Sequence, residues 1–208
     1  MNEVIKEDIP TLLRYLTNAT PIEYKDISEV LDRYTYDRIF LSSDLHFMKD
    51  NDIVDDIKIK MHNSVISSNS NCVYINLGDI EYKKEIEKED IVKDKIKLLN
   101  KGSYSILVKG NHDLYDNDSY IECGFSKVCR KGFIYKNMIF SHIPIKDNSF
   151  PNIDNYINIF GHLHEEDMND NLLYLPLNKY SRKNRIKVYS KEYNYKPVSL
   201  QYLLSNHI

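Results

Sequence analysis

Tryptophan is missing from this chain of 208 residues, which is rich instead in Lys, Asn, Ile and Tyr. We read that as a bias of the coding genome and attach no function to it. Cysteine is scarce: Cys72, Cys123 and Cys129 make an odd set without zinc-finger spacing, so reduced, mostly structural thiols are expected. A charge excess of one sign is lacking as well. The net charge of −3 is no footprint for nonspecific nucleic-acid binding, although it leaves room for a local basic patch. No apolar run is long enough to span a membrane, and the polar start MNEVIKEDIP does not look like a signal peptide, so a cytoplasmic protein is expected. Internal repeats and low-complexity linkers are also absent. The length suffices for one sizeable domain with its own core, and the 42% hydrophobic content fits a soluble globular protein.

With only 6 glycines, each one's place carries weight, and one stands directly before Asn111-His112-Asp113. Its context is a change of pattern at residue 37. Residues 1–36 read as a helical N-terminal extension to a main domain over 37–208. Leu12, Leu13 and Leu16 form a short apolar stripe. Thr20-Pro21-Ile22-Glu23 has a capping box with proline at the first helical position. Ile27, Val30, Leu31 and Tyr34 then recur at helical spacing. Two short helices joined near Asn18-Ala19 are expected, packed on the main domain, with a docking module as the sharper alternative.

From residue 37, apolar runs alternate with helical stretches. Buried strands are expected at 38–42, 72–77 and 105–108, with helices over 52–67 and 81–99 between them. The second helix is highly charged, with Ile86, Val92, Ile96 and Leu99 near one face; its charges read as a solvated surface. This strand–helix alternation implies a parallel sheet covered by helices. Further strands are expected at 127–130, 133–135, 138–141, 156–160, 172–175 and 185–189, with a turn at Lys136-Asn137 and a closing helix over 198–204.

Five of these apolar runs end in polar clusters: Asp44/His46, Asp79, Asn111/His112/Asp113, His142, and His162/His164. Ligands of open α/β sheets sit at the carboxyl ends of strands, so neighbouring strands would bring the clusters to one crevice. Gly110 is expected to let the chain turn sharply out of its strand. Of the histidines at 46, 62, 112, 142, 162 and 164, only His62 falls outside the clusters, and it reads as an ordinary helix residue. A mixed oxygen and nitrogen donor set without thiolate suits Mn²⁺, Fe, Ni²⁺, Co²⁺ or Zn²⁺ and argues against an all-oxygen cage. The donors suffice for two divalent metal ions sharing one carboxylate. Such a pair clamps a phosphate ester, lowers the pKa of a bridging water and steadies both oxygens of an in-line displacement.

Ser43-Asp44-Leu45-His46, Gly78-Asp79, Gly110-Asn111-His112-Asp113, Ser141-His142 and Gly161-His162-Leu163-His164, in this order, resemble the motif set of the calcineurin-like metallophosphoesterase superfamily over roughly residues 37–190. The ending YSKEYNYKPVSL resembles the tail of a subgroup of small bacterial and phage phosphoesterases. The resemblance implies a four-layer α/β/β/α sandwich of two mixed sheets with flanking helices and a dimetal centre at one sheet edge. It implies that Asp44, His46 and His164 bind one metal, that Asn111, His142 and His162 bind the other, and that Asp79 bridges them. His112 would be the catalytic histidine that touches the phosphate or protonates the leaving oxygen, and Asp113 would orient its imidazole. Mn²⁺ is the first expectation for both ions.

Two departures shape the functional expectation. Protein phosphatases of the superfamily follow Gly-Asp with Tyr-Val-Asp-Arg-Gly, whereas here Ile80-Glu81-Tyr82-Lys83-Lys84 follows, and lysine at the arginine position cannot make a bidentate fork. The Gly-His pair that relatives carry after the first motif is replaced by Phe47-Met48-Lys49-Asp50. The expectation is therefore a phosphodiesterase, ahead of a phosphomonoesterase, acting on a nucleotide or other small phosphate ester by attack of a metal-bridging hydroxide. A nuclease is the alternative, favoured only by the basic tract 179–185 with Tyr180 inside it. A non-catalytic scaffold, from a different class, would show lost ligands, and here every position is filled. Phe47, Tyr82, Tyr115, Tyr120, Phe150 and Tyr180 are candidates for pocket walls.

Overall fold

Several short apolar runs become strands here because they are buried on both faces. The computed structural model describes residues 21–82, 89–145, 155–163 and 184–207. Its elements are α1 (Pro21–Leu31), β1 (Ile39–Ser42), α2 (Asp52–Ser67), β2 (Val73–Asn76), α3 (Glu89–Leu98), β3 (Tyr104–Val108), α4 (Asn117–Glu122), β4 (Lys127–Cys129), β5 (Gly132–Tyr135), β6 (Met138–Ser141), β7 (Ile157–Phe160), β8 (Arg185–Lys187), β9 (Val198–Ser199) and α5 (Leu200–His207). The first sheet runs β4-β3-β2-β1-β9, parallel except for β9, which lies antiparallel to β1. The second runs β5-β6-β7-β8: β5 and β6 form an antiparallel hairpin through Lys136-Asn137, and β6, β7 and β8 are parallel. Both sheets are mixed and helices flank them, as expected.

Side-chain alternation sets the layers. Ile39, Leu41, Val73, Ile75, Ile106 and Val108 leave the first sheet on one face and meet Phe133, Tyr135, Met138, Phe140, Ile159 and Ile186 of the second. Phe40, Tyr74 and Leu107 leave by the opposite face and meet Ile59 and Ile66 of α2, Val92 and Ile96 of α3, and Tyr120 of α4. On the outer face of the second sheet, Ile134, Ile139, Asn158 and Phe160 are buried too. Each fully buried aliphatic or aromatic side chain contributes roughly 1.5–3 kcal/mol, so this double core is the main source of stability. Ile27 and Leu31 of α1, which precede residue 37, join the core between the sheets.

Several local expectations change. Residues 198 and 199 are an edge strand, and the closing helix starts only at Leu200. Residues 81 and 82 do not open the charged helix: Glu81 forms a parallel bridge with Phe47 and extends the β1–β2 pairing. The sequence reading missed α4, whose six residues are too few for a periodic signal; its N-cap Asp116 accepts the Ser119 backbone N–H at 2.7 Å. The residues 1–20, Ile86 and the strand expected at 172–175 lie outside the described residues. Cys72, Cys123 and Cys129 are free and buried, and among the described residues no helix is long and apolar enough to cross a membrane.

Candidate metal centre

The pairing of β1 with β2 continues past both strands and places the first three candidate ligands side by side. Asp44 N–H donates to Gly78 O at 2.9 Å, His46 N–H to Asp79 O at 3.0 Å, and Phe47 N–H to Ile80 O at 2.9 Å. The second sheet closes from the other side: Gly161 N–H donates to His142 O at 3.1 Å, and His162 N–H donates to Asp44 Oδ2 at 3.1 Å. Such close convergence needs missing side chains. A Cβ on Gly110 would run into the Asp79 carboxylate and lie 2.5 Å from the Asp79 backbone nitrogen, and one on Gly161 would strike Ser43 Oγ. Gly110 thus serves close approach, without a positive φ, whereas Gly78 has φ +93°.

Backbone strain collects at the same place. Asp44, His46, Asp79 and His162 have φ of 57°, 48°, 53° and 67°, a region that non-glycine residues adopt only when their surroundings hold them there.

Two groups of side chains result. Asp44, His46 and Asp79 bring ligand atoms within 4.8 Å of one another, and so do Asp79, His142 and His162. Asp79 belongs to both. His46 Nε2 lies 3.8 Å from Asp44 Oδ1 and 4.0 Å from Asp79 Oδ2. In the second group, His142 Nε2 lies 3.3 Å from Asp79 Oδ2, 3.0 Å from Asn111 Oδ1 and 3.2 Å from His162 Nδ1. The other nitrogen of His142, Nδ1, lies 2.7 Å from Leu77 O; a carbonyl only accepts, so Nδ1 carries a proton and Nε2 is the nitrogen that would face a bound ion. Carboxylate, imidazole and amide donors so close together fit two divalent ions with one shared carboxylate. His164 lies outside the described residues.

The electrostatics point the same way. Burial pushes the Asp44 carboxyl up to about 7, reinforced by the Asp79 charge and opposed by His142 and Ser43. Burial also works against the Asp79 carboxylate, but its hydrogen bond to His142 and the charges of His142 and His46 more than offset this and hold its pKa below the ordinary value. For His142 burial again opposes the charged form, and Asp79 and Asp44 outweigh it, so its pKa is raised. Buried acids crowded together are the setting that a bound cation relieves.

His112 stands at the open side, its side chain 33% exposed. Its backbone N–H donates to Asp79 Oδ1 at 2.8 Å, and its ring Nε2 lies 4.0 Å from Asp79 Oδ2. Tyr82 stacks on the ring, with centroids 4.9 Å apart and planes at 29°, and meets His46 edge-on at 5.6 Å. Of the aromatic wall candidates among the described residues, Tyr82 is the one seen against these histidine rings. Phe47 and Tyr120 are buried in the helix-side core with Tyr115 against it, and Phe150 and Tyr180 lie outside the described residues.

Asp113 does not take the expected place beside the His112 ring. Its carboxylate accepts backbone N–H groups from Asp79 at 2.8 Å, Ile80 at 2.9 Å, Glu81 at 3.4 Å and Gly110 at 2.7 Å. The carboxylate is acceptor-only, and the loops after β2 and β3 offer it four donors in a dry position, which leaves the imidazole outside its set. Burial raises the Asp113 pKa to about 6, and the N–H of Gly110 opposes that rise. Glu81 works beside it, accepting Leu114 N–H at 2.7 Å and Tyr120 Oη–H at 2.9 Å. The sequence reading missed Glu81 and also Lys58, whose buried ammonium donates to His46 O at 3.3 Å and to Asp55 Oδ1 at 3.1 Å. A lysine among the inward positions of α2 was the available signal.

Residues 37–204 match the family model of calcineurin-like phosphoesterases. No curated protein matches the sequence. Among solved structures, the chain is similar to the crystal structure of AQ665, a protein of unknown function from Aquifex aeolicus, at 21% identity and a TM-score of 0.51, over 81% of this chain and 98% of that one. It is also similar to the nuclease MPE of Pseudomonas putida, at 19% identity and a TM-score of 0.45, over 62% of each chain.

Proposed function

This chain belongs to the calcineurin-like phosphoesterase family, and from that premise we propose that it is a two-metal phosphodiesterase of the cytoplasm acting on a nucleotide or other small phosphate ester. The observation that carries the reading is the shared carboxylate: Asp79 takes part in both metal-compatible groups. Asp44, His46 and His164 would hold one ion, Asn111, His142 and His162 would hold the other, and Asp79 would be shared between them. Two divalent ions held so supply Lewis-acid polarisation of phosphoryl oxygens and a nucleophilic water at neutral pH, with Mn²⁺ the first candidate.

The remaining steps fall to the chain's own residues. His112, partly exposed and beside Asp79, donates a proton to the leaving oxygen. Tyr82 stacks on its ring and limits the ring's rotation. Asp113 positions His112 indirectly, by tying Gly110 to the backbone of 79–81. The preference for diesters follows from lysine at 83, where a phosphatase arginine would grip a dianionic monoester with two parallel hydrogen bonds.

The test is hydrolysis of bis-p-nitrophenyl phosphate beside p-nitrophenyl phosphate, by protein stripped with chelator and resupplied with single metals. Mn²⁺-restored cleavage of the diester is expected. Restored cleavage of the monoester alone would move the reading to a phosphatase, and failure to bind metal at all would end it.

A further inference from the structure

Beside the metal-compatible cluster lies a cavity of about 570 Å³ that the chemistry above does not use. Asn111 and His142 belong both to its wall and to the cluster, so it opens directly onto the centre. One side is cationic: Lys109 follows β3, and Arg130 and Lys131 stand where the chain crosses from the first sheet to the second. Another side is apolar, made by Ile143, Pro144 and Ile145 after β6. Lys109 is engaged, donating to Tyr115 O and lying over the Tyr120 ring at 5.4 Å. Arg130 and Lys131 are exposed, and neither side chain makes a hydrogen bond, ion pair or ring contact among the described residues. Two cations and an apolar stretch lining one cavity, next to the metal-compatible cluster, suit a ligand that is anionic at one end and flat and apolar at the other. A mononucleotide unit has that make-up, and the volume falls in the range of small-ligand sites.

We propose that this cavity seats a nucleotide unit of the substrate: a second phosphate on Arg130 and Lys131, its sugar and base against Ile143 and Pro144, and the scissile phosphate at Asn111 and His142. The inference rests on the phosphoesterase reading above and narrows its substrate to esters that carry a further phosphate one nucleoside away.

Calorimetry on the full-length, Mn²⁺-loaded protein tests this with two probes, thymidine 3′,5′-bisphosphate and thymidine 5′-monophosphate. The bisphosphate binds about ten-fold more tightly, as charge-assisted contacts at a partly exposed site allow, and the gap narrows in high salt. In the double variant R130A/K131A the two probes bind alike, while cleavage of bis-p-nitrophenyl phosphate, which has no second phosphate, is unchanged. In Ile143→Asp both nucleotides bind more weakly and inorganic phosphate does not. Equal affinities in the wild type overturn the proposal, and so does a double variant that weakens both probes by the same factor. Unchanged nucleotide affinity in Ile143→Asp overturns the apolar half. Because binding is read directly, a protein that binds as described but cleaves nothing would end the catalytic reading alone.

Discussion

His112 donates its backbone N–H to Asp79 Oδ1 at 2.8 Å, and its ring Nε2 stands 4.0 Å from the other oxygen of the same carboxylate. One residue is thus fixed by its backbone to the shared carboxylate while its side chain stays partly exposed. His112→Ala keeps the backbone bond and removes only the ring. Metal content, read by elemental analysis, is expected to stay at the wild-type level while turnover falls roughly 100-fold or more, the scale of a lost general acid. Equal turnover in variant and wild type would remove the ring from the mechanism.

Asp79→Asn tests the shared position. The amide keeps the size but loses the charge that both groups use, and its nitrogen is no ligand for a hard cation. Metal content is expected to fall at both positions together. Loss of one ion with the other fully retained would show that the carboxylate is not shared.

Asp113→Asn separates positioning from direct proton handling. An amide nitrogen would confront backbone donors in a buried site, at a cost of about 2–4 kcal/mol. Thermal stability and metal content are expected to drop, and the pH–rate profile of the remaining activity should keep its shape. A shifted profile with stability intact would restore the direct pairing with the His112 ring.

Gly110→Ala adds one methyl group where it would strike the Asp79 carboxylate. The loop after β3 must then back away from the loop after β2. Metal affinity is expected to fall far more than the helical signal in circular dichroism, because the cores lie elsewhere. Wild-type affinity in this variant would contradict the close approach described here.

His62 provides a pH test away from the centre. Burial depresses its pKa from 6.5 to about 4, with the hydrogen bond to Asn100 O opposing. The folded state therefore holds fewer protons than the unfolded one, so the contribution is complete above pH 6.5 and is lost as pH falls toward 4. Between pH 6.5 and 5 the wild type should lose roughly 2 kcal/mol from this residue alone. Urea melts of His62→Gln, which keeps a donor for Asn100, are expected to show a flatter acid limb. An unchanged limb would mean that other groups set it.

The parts of this fold that could be read in advance are those whose cause is local. β1, β2 and β3 announce themselves as apolar runs because both of their faces are covered. The ligand candidates are legible because each follows such a run and the strands end along a common edge. What stayed hidden depends on partners distant in sequence. Asp113 could not be assigned to the backbone amides of 79–81 without knowing that β2 and β3 are neighbours. β9 reads as part of a helix because its two residues are strand only by pairing with β1. Tyr82 is one of 17 tyrosines, and only its stacking on His112 distinguishes it.

Asp44, His46, Asp79 and Asn111 follow strands of the first sheet, whereas His142 and His162 follow strands of the second. The centre therefore straddles a seam, and an ion held across it acts as a clasp between two halves of the molecule. At a free concentration 100 times its dissociation constant such an ion adds about 2.7 kcal/mol to stability by mass action, a large share of what a domain has to spare. Metal starvation would then do more than silence the enzyme. It would loosen the clasp and expose the chain to proteases, so that the amount of protein in a cell follows the supply of its metal.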